Sequence, residues 1–260
     1  MLVIEFIVGI AAGVLAAMTG GGGGLLFVPF LLVAGLPVSE AVATSNVGIL
    51  ITTVAGTLSN ARVGEVPWKR VFALGIPAVL VAPLGSLIAM RMPAALLLIL
   101  LAVLNVVNAI LAGRPVGGPT PSSVEEESPS ADVVRRLDTV PRTIVTGGSG
   151  GLLAGLFGIG GGLVVVPLQV IWLSTPIKAA VRISLAVIVL SSAGAIMGHL
   201  LAGGGIDWNS GVALGLGGLV GAPLGARFLR MVTPTAATRL LQVVLLVVAV
   251  QLVVKVIPFA

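Results

Sequence analysis

The sequence predicts an all-α polytopic membrane protein made of two inverted-topology repeats. Each repeat would hold a Gly-broken helix (re-entrant, or a pair of short helices) and three transmembrane helices. Three observations lead there. Of 260 residues, 57% are hydrophobic and 9% charged, against roughly 25% charged in a soluble domain, and the mean hydropathy is +1.20. A glycine run set in an apolar stretch, GGGGGLLFVP at Gly20 to Pro29, returns as GIGGGLVVVP at Gly158 to Pro167. Loop charge then places corresponding loops of the two halves on opposite sides.

In chain order, Leu2 to Ala17 is apolar but short of the roughly 20 residues of a full span. Each glycine in a helix interior costs about 1 kcal/mol against alanine, so the run from Gly20 breaks the helix. The helix resumes at Leu25 and ends at Gly35-Leu-Pro37. The pieces fit one interrupted span, two tilted spans or a re-entrant hairpin. Ser39 to Ser59 is the next helix, with Ser39 a plausible N-cap and the polar triplet Thr44, Ser45, Asn46 near its start. Val71 to Met90 is a span broken or kinked at Pro77 and Pro83. Ala94 to Ala112 is the next. Arg114 to Arg142 is polar and charged, including PVGGPTPSSVEEESPS, and reads as a solvated linker.

The second half echoes the first. Gly24 and Pro29 align with Gly162 and Pro167 at an offset of 138, Ser45 with Ser184 at 139, and Trp68 with Trp208 at 140. The A-P-L-G of Ala82 to Gly85 aligns with Ala222 to Gly225. Several motifs in order at a nearly fixed offset indicate internal duplication. The later spans are Ile177 to Ala202, Trp208 to Leu229 and Ala236 to Val256. Residues 1–113 would be the first membrane repeat, 114–140 a hydrophilic cytoplasmic linker, and 141–260 the second repeat. Arg62, Lys69 and Arg70 put their loop inside, whereas Gly203 to Trp208 carries only Asp207 and would lie outside.

Enzyme chemistry finds no support. There is no cysteine and one histidine, and HExxH, P-loop and Rossmann patterns are absent. No metal or cofactor is expected. The formal charge of +5 is scattered at helix ends, where it anchors headgroups and sets topology, so no nucleic-acid partner is expected. Glu5, Glu40, Glu65 and Asp207 sit near predicted ends, without paired carboxylates inside the membrane.

What remains suits recognition of a small anion. A helix start offers unpartnered N–H groups and the positive end of the helix dipole. The amides of Gly22, Gly23, Gly24 and Leu25, and of Gly160, Gly161, Gly162 and Leu163, could donate to oxyanion oxygens. Thr44, Ser45, Asn46 and Ser184 could complete the shell, or serve as interhelical hydrogen bonds and caps. Arg182 could be a bidentate anion ligand or could snorkel to the interface. His199, aligned with Asn60, could relay a proton, though its place at a helix end favours the interface. Gln169 and Gln242 read as interhelical contacts, and Trp68 and Trp208 as interface anchors. The series Gly147, Gly151, Gly155 and Gly217, Gly221, Gly225 read as close helix packing.

These motifs resemble the sulfite exporter TauE/SafE family. The resemblance rests on GGGGGLLFVPFLL at Gly20 to Leu32, AVATSN at Ala41 to Asn46, their echo at Gly158 to Pro167 and Ser184, V-G-E-V-P-W at Val63 to Trp68, and A-P-L-G. It covers both halves. It implies a multi-pass inner-membrane permease that moves small sulfur-containing anions, such as sulfite or organosulfonates, usually outward. One departure is V-R-I-S at Val181 to Ser184, where the first half has A-T-S. The expected mechanism is alternating access around a midplane site, with coupling to protons or to the membrane potential left open. The potential alone is worth about 2.3 kcal/mol per charge per 100 mV. An anion channel or a membrane assembly factor are the alternatives.

Overall fold

The computed structural model describes residues 1–62, 66–112 and 129–231, apart from the side chains of 108–109, 111–112, 129–139 and 228–231. Glu65, most of the linker, Gln242 and the last expected span lie outside the described residues. Within them the chain is all-helical: α1 Leu2–Thr19, α2 Gly24–Val33, α3 Val38–Ala61, α4 Trp68–Arg91, α5 Ala94–Ala112, α6 Pro129–Phe157, α7 Gly162–Trp172, α8 Ile177–Leu201 and α9 Trp208–Met231. Helices α1, α3, α4 and α8 are long and apolar enough to cross a membrane. The chain is a multi-pass integral membrane protein.

Helices α3 and α8 form the centre. In their apolar windows 78% and 67% of residues are buried, against 39% for α1 and α4. The outer face of α4 presents Phe72, Ile76, Leu80, Leu84 and Ile88, an exposed apolar stripe at helical spacing that suits lipid.

Small residues set the outer packing. A methyl added at Gly9 would strike Leu214 and Gly217 of α9, and one at Gly13 would strike Gly218 and Ala222. Gly217, Gly221 and Gly225 in turn face the α1 backbone at Phe6, Ile10 and Val14. Gly147, Gly151 and Gly155 face Leu74, Ala78 and Ala82 of α4. Backbones this close gain dispersion contacts that lipid tails cannot supply, and the expectation of close packing for both series holds. The rising numbers on both sides show that α1 runs with α9, and α6 with α4. By the same reasoning α3 runs with α9, Gly48 facing Gly211 and Thr52 facing Gly218. Helix α8 runs with α4, Gly194 facing Val79 and Gly198 facing Pro83.

Three local expectations are corrected. Helix α3 starts at Val38 with Pro37, not Ser39, in the N-cap position; proline's missing N–H is no loss at a helix start. Of the break or kink expected at Pro77 and Pro83, the break is excluded, because α4 is one continuous helix through both. Helix α6 begins at Pro129, so the second part of the polar stretch is helical and continuous with the apolar segment.

Candidate functional site

The two glycine breaks have the same geometry. Gly20, Gly22 and Gly23 have φ of 72°, 81° and 80°, and Gly158, Gly160 and Gly161 have φ of 64°, 77° and 70°. This left-handed region costs an L side chain roughly 1–2 kcal/mol per residue, which is why both runs need glycine. Gly20 closes α1 through its N–H to the Ala16 carbonyl at 2.8 Å, and Gly158 closes α6 onto Ala154 at 3.0 Å. Gly23 and Gly161 then open α2 and α7 with no side-chain cap. Among the described residues, the amides of Gly22, Gly23, Gly24 and Leu25, and of Gly160, Gly161, Gly162 and Leu163, meet no acceptor.

The breaks touch. A methyl at Gly24 would run into Ile159 and Gly158, and one at Gly162 into Gly20 and Gly21. Two buried serines bind them crosswise. Ser45 of α3 donates to the Gly158 carbonyl at 2.8 Å, and Ser184 of α8 donates to the Gly20 carbonyl at 2.9 Å. Each hydroxyl satisfies a carbonyl that the break in the other half has orphaned, and in hydrocarbon an unsatisfied group of this kind costs several kcal/mol. Asn46 adds a third link, its Nδ2 donating to Ala154 at 3.2 Å near the end of α6, while its Oδ1 is buried without a partner. Thr44 faces elsewhere: its Oγ1 accepts the Asp207 N–H at 2.9 Å, at the start of α9. Arg182 is partly buried on α8 and is engaged by a neighbour. Gln169 reaches from α7 to the Ala180 carbonyl of α8 at 3.5 Å.

Two side chains at the breaks were not legible as site residues. Ile49 and Ile188, at the middles of α3 and α8, are fully buried, and both lie against Gly22 and against Gly160. One turn further along, the doublets Thr52-Thr53 and Ser191-Ser192 are fully buried. Thr53 and Ser191 donate to the carbonyls of Ile49 and Ile188, while Thr52 Oγ1 and Ser192 Oγ have no partner. The doublets fall at the 139-residue offset of Ser45 and Ser184; extending the repeat by two turns would have found them.

One further expectation changes. His199 is fully buried, not interfacial: its Nδ1 lies 3.0 Å from the Ala195 carbonyl, and its Nε2 is buried without a partner. Asn60, its counterpart, makes the matching bond to Gly56 at 3.0 Å. Glu5 and Asp207 sit at the starts of α1 and α9, near helix ends as expected, and there they meet at Ser210.

A buried pair of helix starts on broken, glycine-hinged segments of a multi-pass protein is the architecture of a membrane transporter. The chain belongs to the family of the sulfite exporter TauE/SafE, whose model matches residues 5–252. It is 31% identical over 210 residues to a probable membrane transporter protein of Methanocaldococcus jannaschii, covering 78% of this chain and 73% of that one. It is 28% identical to one from Sinorhizobium, covering 88% and 83%, and 26% identical to one from Bacillus subtilis, covering 96% and 97%. No solved structure matches. The protein is a membrane transporter and not an enzyme.

Proposed function

We propose that the chain is a secondary transporter of small sulfur-containing anions, such as sulfite or an organosulfonate, working by alternating access around one site between the two breaks. The observation that carries this is the crosswise pair Ser45–Gly158 and Ser184–Gly20. It ties the two unpartnered helix starts into a single unit whose amides can surround an oxyanion without a full positive charge. In this reading the amides of Gly22 to Leu25 and Gly160 to Leu163 are the anion ligands. Ser45, Ser184 and Asn46 hold the breaks, and Thr52 and Ser192 offer spare hydroxyls. Arg182, two residues before Ser184, brings the positive charge, and Thr44 ties α3 to the α8–α9 turn. Ile49 and Ile188 occupy the space against the glycines and must move for the anion to bind.

An inverted repeat of residues 1–113 and 141–260 across the 114–140 linker is supported by helix direction. Helices α1, α3 and α9 run one way, and α4, α6 and α8 the other. The sequence offset pairs α1 with α6, α3 with α8, and α4 with α9, each pair opposed. Segments α1–α2 and α6–α7 are then hairpins that enter and return on one side of an inner membrane.

The test is flux. Purified protein in liposomes should release labelled sulfite saturably, faster under an inside-negative potential, with organosulfonates competing. Proteoliposomes no leakier to sulfite than empty vesicles would remove the substrate assignment.

A further inference from the structure

A cavity of about 190 Å³ lies away from the break site, where the end of α3, the start of α4 and the middle of α8 converge. Its floor is buried and consists of Thr57 of α3, Val71 of α4 and Ala186 of α8. Its walls are Leu58, Trp68 and Phe72, each more than half exposed. The Trp68 and Phe72 rings lie 6.4 Å apart, tilted at 36°, within the range of paired aromatics, so they form one continuous wall. Apart from Thr57 and the Trp68 indole nitrogen, the lining side chains are hydrocarbon. The cavity is therefore an apolar groove open to the surface of the bundle.

Its rim is positively charged. Arg62, exposed, caps the end of α3 one turn beyond Leu58, and so stands on the groove's face of that helix. Lys69 and Arg70, both exposed, follow Trp68 in the first turn of α4, and Lys69 stands one turn before Phe72. Arg70 reaches toward the start of α8, donating to Thr175 at 3.2 Å. At an offset of 140 the second half has Ala202, Asn209 and Ser210 in these three places, so it does not repeat the positive rim. A half-exposed tryptophan at a helix start sits at headgroup level. That depth sets the three cations among lipid phosphates and the groove just beneath them, among the acyl chains.

We propose that the groove binds one anionic phospholipid. An acyl chain lies between Leu58 and Phe72 on the floor of Val71 and Ala186, and the phosphate lies among Arg62, Lys69 and Arg70. Charge complementarity selects this occupant. A zwitterionic lipid offers the same chains but brings a cation of its own against the rim. Loop charge puts this end at the cytoplasmic leaflet, where anionic lipid attracts such basic clusters.

Native mass spectrometry of the full chain, with phosphatidylglycerol and phosphatidylcholine of the same acyl chains, tests the site. One phosphatidylglycerol should be retained, about tenfold or more tighter than phosphatidylcholine. Each basic residue near an anionic lipid is worth about fivefold, so Arg62→Gln combined with Lys69→Gln should weaken phosphatidylglycerol roughly thirty-fold. The same pair should leave phosphatidylcholine unchanged. Val54→Trp fills the groove from an exposed lining position and keeps every charge; it should weaken both lipids. Arg91→Gln, at the other end of α4, should change neither. Size-exclusion elution matching the native protein identifies the folded variants, and the charge pair decides if Val54→Trp does not fold. Equal affinity of the native protein for the two lipids would overturn the site. So would phosphatidylglycerol binding that ignores the charge pair, or that ignores a folded Val54→Trp. Glycerophosphate competing as well as intact lipid would reduce the site to a surface for free phosphate and overturn it. A lipid-free dimer lost on Val54→Trp would make a second copy the occupant, and would overturn it too. The site does not rest on the transported anion, so a failed sulfite assay leaves it standing.

Discussion

The starts of α9 and α4 occupy matching places in the two halves, each opening on a half-exposed tryptophan, Trp208 and Trp68. Around Trp208 lie Asp207, Ser210 and the buried Glu5. At the same offset around Trp68 lie Pro67 and Arg70, and Arg70 is exposed and donates to Thr175 at 3.2 Å. One end is therefore acidic, buried and hydrogen-bonded, and the other basic and open to solvent. The central breaks, by contrast, repeat serine for serine and every glycine but Gly21, whose counterpart is Ile159. The difference has a physical cause. At the breaks the backbone must be left-handed and its carbonyls must find donors away from water, so few residues fit. At the helix ends water or headgroups satisfy the backbone, and the side chains are free to take on opposite charge.

That contrast yields graded predictions. The largest effect belongs at the breaks. Gly161→Ala puts a methyl against the Gly150 backbone at φ 70°, and should abolish recovery of monodisperse protein in size-exclusion chromatography. Gly35→Ala, also left-handed at φ 96° but with open space around it, should cost only about 1–2 kcal/mol and still fold. Equal losses in the two would show that close packing at the break is not what demands glycine. Next come Ile49→Ala and Ile188→Ala, each expected to cost about 2–5 kcal/mol in thermal or denaturant unfolding. Each should also raise competition by bulkier organosulfonates relative to sulfite; unchanged selectivity would place the substrate elsewhere. Ser45→Ala and Ser184→Ala should each cost about 1–3 kcal/mol, and by similar amounts because their crosswise bonds match at 2.8 and 2.9 Å, although Ser45 shares its hydrogen with the Val42 carbonyl. A clear inequality would break the symmetry argued for the centre. Arg70→Ala should be the smallest, about 1 kcal/mol, because Arg70 itself is exposed and the buried Thr175 hydroxyl keeps its bond to the Leu173 carbonyl.

Much of this was legible in the sequence, and what was not has identifiable reasons. Apolar runs gave the helices, α5 to the residue, because hydrophobic length is a local property. The breaks were legible because a glycine run has no other use inside an apolar stretch. The roles of the polar residues near them were harder. Thr44 and Ser45 are neighbours in sequence, but successive residues point about 100° apart on a helix, so one faces Asp207 and the other Gly158. The Glu5–Ser210 contact joins residues more than two hundred positions apart, and only the parallel packing of α1 on α9 brings them together. His199 looked interfacial from its place near a helix end, yet α4 covers it, with Ser86 donating to the same Ala195 carbonyl at 2.9 Å. Helix α6 reaches back to Pro129 through residues such as Val133, Val134 and Leu137, which a polar setting disguised.

The central claim is that the two breaks form one anion site. Amide hydrogen exchange, followed by mass spectrometry on the protein in lipid with and without sulfite, tests it directly. The account predicts that sulfite slows exchange in the peptides covering 20–26 and 158–164 together, over the same concentration range. Protection of one break alone, or protection confined to other segments, would contradict it.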